Sequence, residues 1–158
     1  GTDTCVQTVT VIDKEPPAYT VTPTTAEYCV INLISATYSK TAPDNLVKNP
    51  DPDYALFAHG DTSLDLPAAV VTDNCCVSAA NSVSRWEIHF STGEPIISGT
   101  GQPSTYASDI QLWGDGVNYQ VLTHEIRYWL IDCNGNETAT PVIRNIVVNP
   151  RPKITKIP

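Results

Sequence analysis

Asp132, Asn134 and Asn136 occupy alternate positions of the run Asp132-Cys133-Asn134-Gly135-Asn136-Glu137. A calcium ion takes such a mixture of carboxylate, amide and backbone oxygens around a tight turn. Three further carboxylates stand at other breaks in the chain: Asp13 and Glu15 before Pro16-Pro17, and Asp73 before Asn74-Cys75. Asp13, Glu15, Asp73, Asp132, Asn134 and Asn136 form the candidate metal set, with calcium as the expected ion. The EF-hand pattern needs a glycine and a distant glutamate at positions this run does not supply. The competing reading of the same residues is a set of Asx turns that satisfy their own backbone.

Nothing else in the chain assembles a reaction centre. His124-Glu125 begins like a zinc-protease pair, but Tyr128 stands where the second histidine is needed, and the segment alternates as a strand does. His59, His89 and His124 have no carboxylate spacing that defines a triad, and there is no Gly-x-Ser-x-Gly elbow or phosphate loop. The expectation is therefore a protein that is not an enzyme. Among the three tryptophans, Trp86 alternates with Ile88 and Phe90 as a core residue. Trp113, beside Gly114-Asp115-Gly116, is the ring expected to be exposed, and the candidate for stacking on a sugar.

Cys5, Cys29, Cys75, Cys76 and Cys133 are too widely spread for a C-x-x-C metal or redox site. They read as structural disulfides formed in an oxidising compartment. The vicinal Cys75 and Cys76 point to opposite sides of an extended chain, so they serve two bridges rather than one. One is expected to pair with Cys133 and the other with Cys29, in either assignment. Cys5 would then find its partner in a preceding unit.

The elements that must position these groups are short and extended. The chain has 158 residues, 41% of them apolar and only 16% charged, with 13 prolines and 8 glycines breaking it into short runs. Val, Thr, Ile and Tyr dominate, as in β-sheet. Alternation marks strands at Thr4–Ile12, Tyr19–Val21, Tyr28–Tyr38, Leu66–Thr72, Ser84–Ser91, Ile96–Gly101, from Ile110, through His124–Ile131 and over Val142–Val148. Val117, Tyr119 and Val121 set an inward phase that Ile126, Tyr128 and Leu130 do not continue, so a turn or bulge near Leu122 and Thr123 is needed. Residues 39–65 read as a surface excursion with only Tyr54–Phe57 to bury. The expected fold is an all-β sandwich of about seven or eight strands, braced by disulfides, with almost no helix. A formal charge of −8 argues against a nucleic-acid partner, and no run is long enough to insert in a membrane.

The two ends of the chain resemble each other. Gly135-Asn136-Glu137-Thr138-Ala139 parallels Gly1-Thr2-Asp3-Thr4-Cys5, Val142–Val148 parallels Val6–Ile12, and Asn149-Pro150-Arg151-Pro152 parallels Asp13 to Pro17, at an offset of about 134 to 136. This likeness, with Gly1 in place of Met and no methionine anywhere, reads as one unit of a tandem array excised from a longer exported protein. Residues 1–15 are then the last strand and linker of a preceding repeat, 16–150 one complete repeat, and 151–158 the linker to the next.

Thr72-Asp73-Asn74-Cys75, Gly99-Thr100-Gly101, the run from Ile126 and Tyr128 to Asp132-Cys133-Asn134-Gly135-Asn136-Glu137-Thr138, and Ile146-Val147-Val148 resemble the hyalin-repeat type of immunoglobulin-like domain. The resemblance covers most of the chain. The doubled cysteine at 75–76, Ala139 in place of a terminal cysteine, and apparent insertions at 39–65 and 106–118 depart from the family pattern. The resemblance implies a bridge from Cys75 or Cys76 to Cys133. Cysteine-bearing members stand in long tandem arrays in the very large adhesins that gliding Bacteroidetes export through the type IX secretion system. The implied role is a stalk repeat outside the cell, at its surface, stiffening a filament used in attachment and gliding. Its partners would be neighbouring repeats, with surface glycans or motility machinery engaged by the whole protein. The alternative role is a carbohydrate- or protein-binding module using the loops at 39–65 or 101–118.

Overall fold

The computed structural model describes residues 7–20, 22–30, 54–67, 71–74 and 82–150. Cys5, Cys75, Cys76, the part of an expected strand at 31–38 and the linker at 151–158 lie outside them. The described chain is all-β. Its strands are β1 (Ala18–Tyr19), β2 (Ala26–Cys29), β3 (Tyr54–Phe57), β4 (Val71–Thr72), β5 (Val83–His89), β6 (Ile97–Thr100), β7 (Ile110–Trp113), β8 (Leu122–Leu130) and β9 (Val142–Asn149). Among the described residues the sole helical turn is a short 3-10 segment at Pro103–Thr105.

Five strands form one sheet in the order β2-β9-β8-β5-β6, while β1 pairs with β4 and β3 with β7. All pairings are antiparallel except β2 on β9, which runs parallel from Ala26 opposite Ile146 to Cys29 opposite Asn149. The alternation expected around Trp86 and Tyr128 holds. Trp86 and Ile88 on β5 and Ile126, Tyr128 and Leu130 on β8 are fully buried. Arg85, Glu87 and His89 stand on the opposite face, in register with Trp129, Arg127 and Glu125. Burying one side of a pleated strand requires this period of two. The outer face carries an ion pair of Arg127 with Glu125 at 2.9 Å and a hydrogen bond between His89 and Glu87 at 2.9 Å. The Arg85 guanidinium lies 3.7 Å above the Trp129 ring.

The second layer is built from the run Tyr54–Phe57, expected to be buried within 39–65, and the strand expected from Ile110, while residues 39–53 lie outside the described residues. Tyr54–Phe57 pairs with Ile110–Trp113 in an antiparallel ribbon, and Ala55, Phe57, Ile110 and Leu112 are buried in the same cluster as Trp86 and Tyr128. Leu64 and Leu66 join them. A four-residue run with two inward side chains carries little signal by itself, yet two such runs paired together can cover a sheet face. The Tyr128 hydroxyl donates to the Leu64 carbonyl, so its one polar atom is satisfied inside the core.

Between β7 and β8 the expected inward phase of Val117, Tyr119 and Val121 is not realised. Val117 and Val121 are exposed, and no strand forms before Leu122. The Asp115 carboxylate accepts from the backbone N–H groups of Val117, Asn118 and Gln120, curling the segment into a turn, with Tyr119 at φ 59°. Local side-chain bonding outcompetes a strand here. Residues 7–12 likewise form no strand, and all are exposed.

Gly99 marks a close approach of backbone to side chain. It faces Trp86 across the β5–β6 ladder, and a Cβ built on it would lie 2.6 Å from the indole Cζ2. Only glycine lets the edge strand close over a buried tryptophan.

Candidate junction and metal site

β8 leaves the core at Leu130, and Ile131 bridges to Glu137 to close a tight turn with Gly135 at φ 88°. The turn is organised by Asp132, only 7% exposed. Its Oδ1 accepts from the backbone N–H groups of Asn134 and Asn136, both at 2.8 Å, and its Oδ2 from the Asn136 side-chain amide at 2.6 Å. Burial alone would raise the Asp132 pKa. The Asn136 side-chain and backbone donors, with the Asn134 and Gly135 amides, outweigh it and hold the carboxyl below its ordinary range.

The segment before β1 docks on this turn. Asn134 Nδ2 donates to Asp13 Oδ2 at 3.3 Å, and Asn136 Nδ2 to the Asp13 carbonyl at 3.3 Å. Asp13 Oδ1 accepts from the Glu15 backbone N–H at 3.1 Å, and Pro17 is buried. Glu15 in turn accepts from the Asn74 amide at 3.1 Å. Asn74 follows β4, which holds β1 through the pairs Ala18–Thr72 and Tyr19–Val71. The turn, the Asp13–Glu15 segment and the exit of β4 therefore meet.

Asp13, Asp73 and Asp132 each offer a carboxylate oxygen there, all within 4.8 Å of one another. Three like charges at that spacing repel by about 1 kcal/mol per pair even at the dielectric of water. The asparagine amides offset part of this. A hard divalent cation accepting all three oxygens would offset more. Clusters of this kind also occur on proteins without an ion.

The six residues of the candidate metal set thus divide. Asp13, Asp73 and Asp132 converge. Asn134 and Asn136 stand beside them and donate their side-chain amides to Asp13 and Asp132. Glu15 is adjacent and engaged with Asn74. Glu137 points elsewhere, to the Ser84 hydroxyl and, at 3.4 Å, to Arg85. Asn74 and Arg144 were not singled out from sequence. Arg144 donates to the carbonyls of Thr24 at 2.7 Å and Ser63 at 2.9 Å, tying β9 to two loops. Carbonyl acceptors leave no trace in a sequence, so no local signal marks that role.

Cys133 is disulfide-bonded, and its partner lies outside the described residues. The bridge expected at Cys29 is not formed: Cys29 is a free, exposed thiol. Strand parity explains this. On β2 the inward positions belong to Ala26 and Tyr28, which turns Glu27 and Cys29 to solvent. Trp113 is half-buried rather than open, with its ring edge-on to Tyr54 at 6.5 Å. Its carbonyl accepts from His124 Nε2 at 2.6 Å. His124 is itself buried, and its Nδ1 accepts from the Ser91 backbone N–H at 3.0 Å. Burial disfavours the imidazolium and, against the opposing bond to Trp113, holds the His124 pKa below its ordinary value. An open groove along the β6 edge is lined by Arg85, Glu87, Ser98, Thr100, Thr105 and Tyr106. No family model, curated protein or solved structure matches the chain.

Proposed function

We propose that the chain is an immunoglobulin-like, disulfide-braced stalk repeat of a very large adhesin at the cell surface, with no catalytic role. The observation that carries this reading is the docked junction. Asp13 is bonded to Asn134 and Asn136, more than a hundred positions away in sequence, and Glu15 to Asn74. A segment fixed in this way transmits orientation from one unit to the next, and Pro16-Pro17 limits its bending. The disulfide at Cys133 suits an oxidising exterior and resists unravelling, by about 2–4 kcal/mol for an unstrained bridge.

Backbone relaxation of the intact chain tests it. The amides of Asp13, Lys14 and Glu15 should tumble with the sandwich, and Asn134→Ala with Asn136→Ala should release them. Independent nanosecond motion of these amides in the parent chain would sink the reading. Calcium belongs to the same proposal, held by Asp13, Asp73 and Asp132 and tightening the junction. Saturating calcium should raise the melting temperature above that in chelator, and Asp13→Asn should remove the difference.

The second reading, a carbohydrate- or protein-binding module, draws on the groove beside β6, whose Thr105 and Tyr106 lie in the 101–118 segment. Glycan-array binding abolished by Tyr106→Ala would favour it over the spacer.

A further inference from the structure

We infer that residues 7–12 are a β-strand built for the sheet of a neighbouring unit of this same fold, where they occupy the place of β9. The inference rests on the stalk-repeat reading and names the partner surface of the junction. Val9, Val11 and Ile12 are 75%, 84% and 70% exposed. Val9 and Val11 alternate with Thr8 and Thr10 as in a strand with one apolar face, Ile12 falling on the threonine side, yet no described strand pairs with this run.

The chain itself indicates what covers that face. Residues 1–17 repeat the sequence around β9, from the Gly-x-acid-Thr lead to the proline-rich exit. β9 is an interior strand, antiparallel to β8 and parallel to β2, with Ile146 and Val148 buried and Asn145 and Val147 turned outward. The sequence parallel runs at offsets of 134 to 136, and matching the apolar faces takes one residue more, setting Val9 on Ile146 and Val11 on Val148 with Thr8, Thr10 and Ile12 on the outward positions. This alignment slips by about three residues from the lead, which Ala139, Thr140 and Pro141 account for.

Residues 7–12 cannot take that place in their own unit. β9 fills it continuously, from Val148 opposite Leu122 to Val142 opposite Tyr128. The acceptor is therefore a second sheet with a β8-like strand on one side and a β2-like strand on the other. Asp13, the next residue, is already bonded to the 132–136 turn. The last strand of one sandwich thus runs into the docked junction of the next with no slack between them, and pulling on the chain loads both units at once.

The test is a chain in which residues 16–134 precede the intact 1–158, giving an acceptor sheet with no β9 of its own. Two folded units are expected. The amides of residues 8–11 should gain about a hundredfold protection from hydrogen exchange over the 1–158 chain alone. Val9→Asp with Val11→Asp should unfold the front unit only, and Thr8→Asp with Thr10→Asp should leave it folded. In the 1–158 chain alone the valine pair should not change the melting temperature. A front unit that stays unfolded beside a folded rear unit overturns the inference. So does a front unit that folds without protecting 8–11, or one indifferent to which pair is changed. Self-association of the 1–158 chain through Val9 and Val11 would overturn it in favour of edge pairing between copies. The stalk reading is scored separately in the rear unit, by whether amides 13–15 tumble with its sandwich.

Discussion

β8 and the turn that continues it are held by opposite means. Ile126, Tyr128 and Leu130 are dry, and their stability is that of buried surface and close packing. Two residues further on, Asp132 is held by a ring of N–H donors and sits among carboxylates. The packing of Ile126, Tyr128 and Leu130 is indifferent to salt as long as their atoms fit. The polar end depends on charge state, on donors from distant segments and, in our proposal, on a cation.

The comparison is broken most forcefully at the centre. Trp86→Ala should cost about 3–5 kcal/mol in urea unfolding, and Phe57→Ala, in the second layer, should fall in the same range. A cost below about 1 kcal/mol for Phe57 would return residues 54–57 to the status of a surface excursion. Next comes overpacking: Gly99→Val drives a side chain into the Trp86 ring and should lose about 1–3 kcal/mol, or more if β6 detaches.

pH separates the two regions more finely. The folded-state pKa of His124 lies below the unfolded value, so the unfolded chain binds the proton more readily. Stability should therefore fall as pH drops below about 6.5 and stop falling once the folded-state value is passed. Phe90, edge-on to the ring, and Ser91 and Trp113, its bonding partners, bring no charge to reverse this sign. His124→Gln should flatten the slope between pH 7 and 5 in a series of denaturant midpoints. Asp132 acts on the acid side. Its depressed pKa contributes stability above the unfolded value of about 4, lost as pH falls toward the folded-state value.

The smallest effects distinguish one polar turn from another. Asp115 and Asp132 both accept several backbone amides, and both carboxyls titrate below their ordinary range. Asp115 caps only its own loop, whereas Asp132 shares Asn136 with Asp13. Asp132→Ala should lower the melting temperature and free amides 13–15. Asp115→Ala should disturb amides 116–120 alone, with little change in melting.

Much of this was legible in the residues. The alternation about Trp86 and Tyr128 announced a sheet with one dry face, because a strand's period of two forces such a pattern. The Asx turn after β8 was equally plain, but of the six candidate ligands named from sequence, which three meet depended on segments far apart in the chain. Tyr54–Phe57 and the strand from Ile110 were both marked, but their pairing into one layer was not legible, since a four-residue run does not name its partner. The phase of Val117 to Val121 misled because Asp115 bonding to its own loop competes locally with strand formation. Cys29 misled because cysteine identity carries no information about which face of β2 it occupies.

By itself the sequence determined the class of structure, the inward residues of its longest strands and the polar chemistry of its turns, all of which depend on neighbours in the chain. Only the tertiary structure decided which short runs pair, which acids meet and which apolar run is left exposed. Those outcomes depend on segments far apart in sequence, and a residue's burial is a property of what stands opposite it.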